Sequence, residues 1–229
     1  DAKLAALAGE PAGRTAQHGQ ALALELAALA RLAAPCPVVA GAESPGVGAE
    51  QVSAAARAIV AEARREDALP LVLTCGGPLT NVAAALRLAP DIAGRMTLVW
   101  IGGSLSADGA PEYNLATDRE AARQVLLDPT VTRHVVPRET YRQLKMSVAE
   151  MRTELRPISA LARWLHDRYL QLPPFVQLGP TVTLGDSALV ALAVLDRNAP
   201  TRRVPAAALL AGADHTGQSC LLCEHIDKR

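Results

Sequence analysis

Two glycine pairs interrupt the chain directly after short apolar runs, in Cys75-Gly76-Gly77-Pro78-Leu79-Thr80-Asn81 and in Ile101-Gly102-Gly103-Ser104. Glycine lets backbone approach a ligand with no Cβ in the way, and an open parallel sheet binds ligands beyond the carboxyl ends of its strands. The competing reading of each pair is a strand-to-helix turn that needs small residues. Neither pair ends in Gly-Lys-Ser/Thr and neither forms GxGxxG, so a phosphate-binding loop and a Rossmann-type cofactor site are not expected. Oxygen chemistry is offered by Glu112 and Asn114 in Pro111-Glu112-Tyr113-Asn114, and by Asp186 at the head of an apolar helical run. For Glu112 the alternative is a solvated loop carboxylate, and for Asp186 an ordinary helix N-cap.

Cys220-x-x-Cys223-x-His225, with His215 upstream, invites a zinc reading. Only one such cysteine pair is present, and on a strand Cys220 and Cys223 face opposite sides, which opposes chelation. Cys36 and Cys75 lie on or beside apolar runs and read as core thiols.

The elements that must position these residues alternate in type. Val38-Val39-Ala40, Leu71 to Cys75, Thr97 to Ile101 and His134 to Val136 read as strands. Helices are expected over Ala21 to Ala34, buried and closed by Pro35, and over Glu50 to Arg65. After Pro78, Leu79, Val82, Ala83 and Leu86 recur on one helical face. A Thr117-x-x-Glu120 capping box opens a helix to about Leu127. Another helix runs from Pro157 to Leu172 with Ile158, Leu161 and Leu165 on one side, and a further one begins after Asp186. The tail from Leu209 reads as a hairpin turning over Gly212 to Gly217. Strands alternating with helices predict an α/β fold, an open, mostly parallel sheet with helices on both faces, in a single domain over residues 1–229.

Composition narrows the function. With 229 residues, half of them hydrophobic, the chain can bury a large core and disorder is excluded. Lys+Arg and Asp+Glu both number 23, so no basic field draws nucleic acid or anionic lipid, and 3 % aromatics leaves few stacking residues. No apolar stretch approaches the roughly 20 residues of a membrane span, and no secretory signal pattern opens at Asp1. Four cysteines are too few for a disulfide scaffold, so a cytoplasmic location is expected.

Taken together, Gly77-Pro78-Leu79-Thr80-Asn81-Val82-Ala83, Ile101-Gly102-Gly103 and Pro111-Glu112-Tyr113-Asn114-Leu115-x-x-Asp118-x-Glu120-Ala121-Ala122 resemble the calcium-dependent nucleoside hydrolases in order and spacing. Pro137-Arg138-Glu139-Thr140 and Leu184-Gly185-Asp186-x-Ala188-Leu189-Val190 resemble two later motifs of that family. The resemblance implies a purine or pyrimidine salvage enzyme that hydrolyses the N-glycosidic bond of ribonucleosides to free base and ribose with a calcium-bound water. It implies the Gly76 carbonyl and Asp186 as calcium ligands, and Glu112 and Asn114, on an extended segment, as a grip on ribose hydroxyls. A small-molecule nucleoside is the expected partner, and homo-oligomers are common in the family. For the leaving base, His166, Asp167 and Tyr169 are candidate hydrogen-bonding or proton-donating groups, with Trp164 or Tyr169 stacking on it. The competing reading is that these are ordinary residues of an amphipathic helix.

Departures from the family pattern are equally specific. The Asp-rich run that supplies further calcium carboxylates and the general base has no counterpart in this sequence, so no catalytic base is assigned. Either the first strands lie outside this chain or it is a degenerate member that binds ribosyl groups or acts as a scaffold. Gly185 stands where many members carry a leaving-group histidine, Ser104 to Gly109 lacks an expected asparagine, and the loop between Gly46 and Gly48 is short.

Overall fold

The computed structural model describes residues 13–34, 36–46, 52–106, 112–171, 179–195, 201–210 and 219–223. Seven strands occur among them: β1 (Leu71–Cys75), β2 (Met96–Ile101), β3 (Thr132–Val136), β4 (Lys145–Ser147), β5 (Thr181–Thr183), β6 (Thr201–Pro205) and β7 (Ser219–Cys223). The chain divides into two compact units, each with its own sheet: Ser44–Leu144 with Leu184–Arg229, and Asp1–Glu43 with Lys145–Thr183.

The larger unit holds a five-stranded sheet in the order β1-β2-β3-β7-β6, parallel from β1 to β7 and closed by antiparallel β6. Strand β2 is apolar almost throughout because both of its faces are covered. Leu98 and Trp100 join Leu79, Val82, Val125, Leu126 and Val135 in one core. Val99 and Ile101, one residue out of phase, pack with Val136, Ala188 and Leu189 in another. This is the α/β arrangement expected from the alternating pattern.

Helix boundaries follow local capping. The helix expected over Glu50 to Arg65 is seen as Ala54–Arg64, with the Ser53 hydroxyl accepting from the Ala56 N–H at 3.0 Å. The cap of the Arg119–Leu127 helix is Asp118, whose Oδ1 accepts from the Ala121 N–H at 3.0 Å, and not Thr117. Thr117 closes a separate short helix, Tyr113–Thr117, and its hydroxyl donates back to the Tyr113 carbonyl at 2.7 Å. Buried Asp118 also accepts from the Thr80 hydroxyl at 2.6 Å and the Gly46 N–H at 3.1 Å, tying three loops together. The hairpin is corrected too. Its strands are β6 and β7, paired from Thr201↔Cys223 to Pro205↔Ser219, while Leu209 lies in the helical turn Ala206–Leu209. The expected turn at Gly212 to Gly217 lies outside the described residues.

In the smaller unit the first helix spans Thr15–Ala30, none of its residues is buried, and it ends at Arg31, whose φ of 50° is left-handed, before Pro35 is reached. Val38-Val39-Ala40 is not a strand. Its segment serves the helix instead: the Val38 carbonyl accepts from Gln20 Nε2 at 2.9 Å, and the Glu43 carboxylate accepts from the Ala16 and Gln17 N–H groups at 2.8 and 3.0 Å. That carboxylate satisfies helix donors that have no partner within the helix. Cys36 is exposed, against the core reading, and Cys75 is half-buried. The helix expected from Pro157 to Leu172 is Ala160–Leu170, capped by Ser159, with Ala162 and His166 as its buried residues, whereas Ile158 is exposed. Strands β4 and β5 pair antiparallel, and a Ser147/Glu150 capping box follows β4. Among the described residues, no helix is long and apolar enough to cross a membrane.

Gly102 is a packing requirement. A Cβ built there would lie 2.0 Å from Cζ2 of the fully buried Trp100 ring, whose Nε1 donates to the Gly77 carbonyl at 2.9 Å. Overpacking a core typically costs about 1 to 3 kcal/mol, so Gly102→Ala should lower the urea midpoint accordingly. An unchanged midpoint would show that the indole does not fill this space.

Candidate active site

The carboxyl ends of β1 and β2 converge on one polar cluster within the larger unit. Beyond β2 the ladder continues through backbone bonds, Gly102 N–H to the Val136 carbonyl and Arg138 N–H to the Gly103 carbonyl, both at 3.1 Å. Gly103 then turns with φ at +73°, which aims its own N–H at Glu112.

Glu112 and Asn114 do not lie on an extended segment. Glu112 is the N-cap of the Tyr113–Thr117 helix and Asn114 is in its first turn, so they are brought together by the cap and not by strand alternation. The Glu112 carboxylate is only 3 % exposed as a residue and is surrounded by donors. Oε2 accepts from Gly103 N–H and Leu115 N–H, each at 2.9 Å; Oε1 accepts from Asn114 N–H at 3.2 Å and from the Tyr141 hydroxyl at 3.3 Å. Asn114 Nδ2 donates to the Ile101 carbonyl at 2.9 Å and to the Gly76 carbonyl at 3.4 Å, spanning the ends of β2 and β1. Its Oδ1 has no hydrogen-bond partner among the described residues.

Asp186 stands at the N-cap position of the Ser187–Val190 helix, yet its side chain makes no capping bond. The carboxylate lies instead beside Gly76, where an added Cβ would come 3.7 Å from its Cγ. Partial desolvation, then the nearby Glu112 charge, hold the Asp186 carboxyl above the usual carboxylate range. Burial first, and the Asp186 charge to a lesser extent, push the Cys75 thiol up against the opposing effect of the Gly77 backbone.

Three participants escape a reading of residue spacing. Tyr141 packs with Val99, Ile101 and Leu189, and its ring lies 3.0 Å from where a Gly185 Cβ would stand. Burial, then the Glu112 charge and hydrogen bond, push its phenol up to about 12. Ser104, buried after Gly103, donates to Glu139 and accepts from Arg138 Nη2 at 3.0 Å. Burial pushes Glu139 upward, but the Ser104 hydroxyl and its own, Leu105 and Ser106 N–H groups outweigh it and hold its carboxyl below the usual range. The Pro137-Arg138-Glu139-Thr140 motif is the one signal that pointed to this pair.

Trp164, His166 and Tyr169 belong to the smaller unit. The Trp164 indole N–H donates to Glu25 at 2.7 Å, and the Arg168 guanidinium lies 5.8 Å from its ring centroid. His166 is buried; Nδ1 meets Asp167 Oδ1 at 2.8 Å, Asp167 also meets Arg156 at 3.2 Å, and Nε2 has no partner among the described residues. The His166 and Arg156 bonds hold the Asp167 carboxyl below its usual range. Tyr169 is exposed.

As a calcium site, the cluster is right in kind and short in number. Asp186 and the Gly76 carbonyl are both oxygen donors, but calcium takes about 6 to 8 of them. No group of three or more His, Cys, Asp or Glu that could hold a metal occurs among the described residues. Cys220 and Cys223 sit in β7 opposite Val204 and Thr201, while His215, His225 and residues 47–51 and 107–111 lie outside the described residues.

The chain resembles a solved inosine-guanosine nucleoside hydrolase at TM-score 0.73 and 20 % identity, covering 93 % of this chain and 83 % of that one. An inosine-uridine preferring nucleoside hydrolase from Bacillus anthracis matches at TM-score 0.60 and 20 % identity, over 77 % of this chain and 62 % of the other. A purine-preferring ribonucleoside hydrolase from Gardnerella vaginalis matches at TM-score 0.56 and 22 % identity, over 80 % and 58 %. This chain thus spans about three-fifths of the length of the latter two. No curated protein is significantly similar in sequence. At these identities the structures establish the fold, whereas the sequence profile of one family matches residues 3–229, nearly the whole chain: it belongs to the inosine-uridine preferring nucleoside hydrolases.

Proposed function

We propose that this protein hydrolyses ribonucleosides, breaking the N-glycosidic bond and releasing free base and ribose. The observation that carries the proposal is the convergence of Glu112, Asn114, Gly76 and Asp186 at the carboxyl ends of β1 and β2, in a chain of this family. In open α/β sheets that edge is where ligands bind.

The reaction replaces the bond from the sugar's anomeric carbon to the base nitrogen with a bond to water oxygen. Charge builds on the sugar as the base departs, so oriented acceptors around the sugar favour the transition state over the bound substrate. Asn114 Oδ1 and the Asp186 carboxylate are the acceptors this site leaves uncommitted. Glu112 contributes from behind them, holding the Gly103 turn and the first turn of the Tyr113–Thr117 helix in place. The expected metal is calcium, for which Asp186 and the Gly76 carbonyl would be two of the ligands. Among the described residues these two oxygens fall short of the number calcium takes. For the base, Trp164, His166 and Tyr169 remain the proposed contacts. A second reading is a catalytically degenerate ribosyl-binding protein; among the described residues Asp186 is the side-chain carboxylate beside Gly76.

Incubation with inosine and with uridine, with calcium and with a chelator, separates the two readings. Release of reducing sugar supports the hydrolase; nucleoside binding without release in any condition supports the degenerate binder.

Asp186→Asn tests the site through stability as well as turnover. In the native state the raised carboxyl favours the protonated form, so the ionised side chain is a destabilising element at neutral pH. That penalty fades as pH falls through the folded pKa and is gone below the ordinary carboxylate value. The chelator-treated Asn variant should therefore melt at or above the wild-type temperature at pH 7, lose that advantage by about pH 3, and hydrolyse nucleosides far more slowly. Full nucleoside hydrolysis by the folded Asn variant would remove Asp186 from the site.

A further inference from the structure

We infer that Glu139 is a positioning residue for the candidate site: its carboxylate pins the segment Ser104–Ser106, and through it the Gly103 turn whose N–H meets Glu112. This rests on the nucleoside reading above and deepens it.

The turn after β2 has little with which to hold itself. Gly102 and Gly103 have no side chains, and Gly103 lies at φ +73°, so the pair keeps wide backbone freedom unless something outside it removes that freedom. The segment that follows β3 does so on the entry side. The Val136 carbonyl accepts from Gly102 N–H and the Gly103 carbonyl accepts from Arg138 N–H, both at 3.1 Å.

Glu139 holds the exit side. Its one carboxylate gathers donors from three consecutive residues: the Ser104 hydroxyl, the Leu105 N–H at 3.3 Å and the Ser106 N–H at 3.4 Å. N–H bonds of that length are individually weak, but here they converge on one charge, as successive N–H groups do around a bound anion. Arg138 reinforces the arrangement. Its guanidinium donates to Ser104 Oγ at 3.0 Å and stands 4.0 Å from Glu139, so the buried hydroxyl is gripped from two sides. The beneficiary is the Gly103 N–H, a donor to Glu112 Oε2 at 2.9 Å. A turn free to shift would carry that donor with it, and a misplacement of about 1 Å beside the reacting groups can cost on the order of 100-fold in rate. The Glu139 side chain is 39 % exposed, so removing it opens no core cavity and its effect on the site is separable from folding.

The test measures kcat and KM for inosine, melting temperature and amide hydrogen exchange in wild type, Glu139→Ala and Glu139→Gln. In Glu139→Ala the Leu105, Ser106 and Gly103 amides should lose protection, and kcat/KM should fall about tenfold, with the loss mainly in kcat because a misplaced framework harms the transition state more than substrate binding. Glu139→Gln keeps one acceptor oxygen and should fall between the two. Equal kcat/KM in all three folded proteins overturns the inference and leaves the nucleoside reading intact. A lower melting temperature in Glu139→Ala with unchanged Gly103 exchange also overturns it, because Glu139 would then only stabilise its own helical turn. Wild type that releases no ribose from inosine sinks the nucleoside reading, and the role of Glu139 in turnover falls with it.

Discussion

Everything proposed for this site depends on one buried carboxylate. Glu112 carries a charge into an apolar region, where an unpaired carboxylate would be far too costly. It is tolerated because three backbone N–H groups and a phenol point at it. Those donors come from three separate places in the chain: the turn after β2, the start of the Tyr113–Thr117 helix, and Tyr141. The carboxylate is thus the common partner that fixes their positions relative to one another. Asn114, held by the same cap, carries the arrangement across to the end of β1 through the Ile101 and Gly76 carbonyls.

A second buried acid repeats the device one layer back. Asp118 caps the Arg119–Leu127 helix and binds Thr80 and Gly46, so the loop after β1 is tied to the same helical segment that Glu112 begins. Between the two acids the Gly76-Gly77 loop has little freedom, and Trp100 adds a bond from its indole to the Gly77 carbonyl. Among the described residues, the frame leaves the Asp186 carboxylate and the Asn114 oxygen without a hydrogen bond. That contrast between satisfied framework groups and unsatisfied facing groups is the physical signature of a preorganised site.

Much of this was legible in the residues. Strands β1, β2 and β3 follow from apolar runs ending in glycine or proline, and the helix after Pro78 from its apolar spacing, because both are decided by local periodicity and burial. Glu112, Asn114 and Asp186 stood out through the resemblance of their motifs. What failed was whatever depends on a distant partner. Val38 to Ala40 has strand composition, but Gln20 and Glu43 bind that segment to a helix instead. Thr117 fits a capping box, yet Asp118 takes the cap because the preceding short helix claims Thr117. The inward face of the Ala160–Leu170 helix is centred on Ala162 and His166, which no hydropathy pattern marks. Tyr141 was invisible for the same reason, since its meaning comes from a carboxylate 29 positions away.

The claim that Glu112 organises the site can be measured without any ligand, by amide hydrogen exchange on wild type and Glu112→Ala. The account predicts that the Gly103, Asn114 and Leu115 amides are protected in wild type and lose that protection together in the variant, while the amides of β1, β2 and β3 stay protected. If those three amides exchange at the same rate in both proteins, the carboxylate does not hold them, and the site described here has a different foundation.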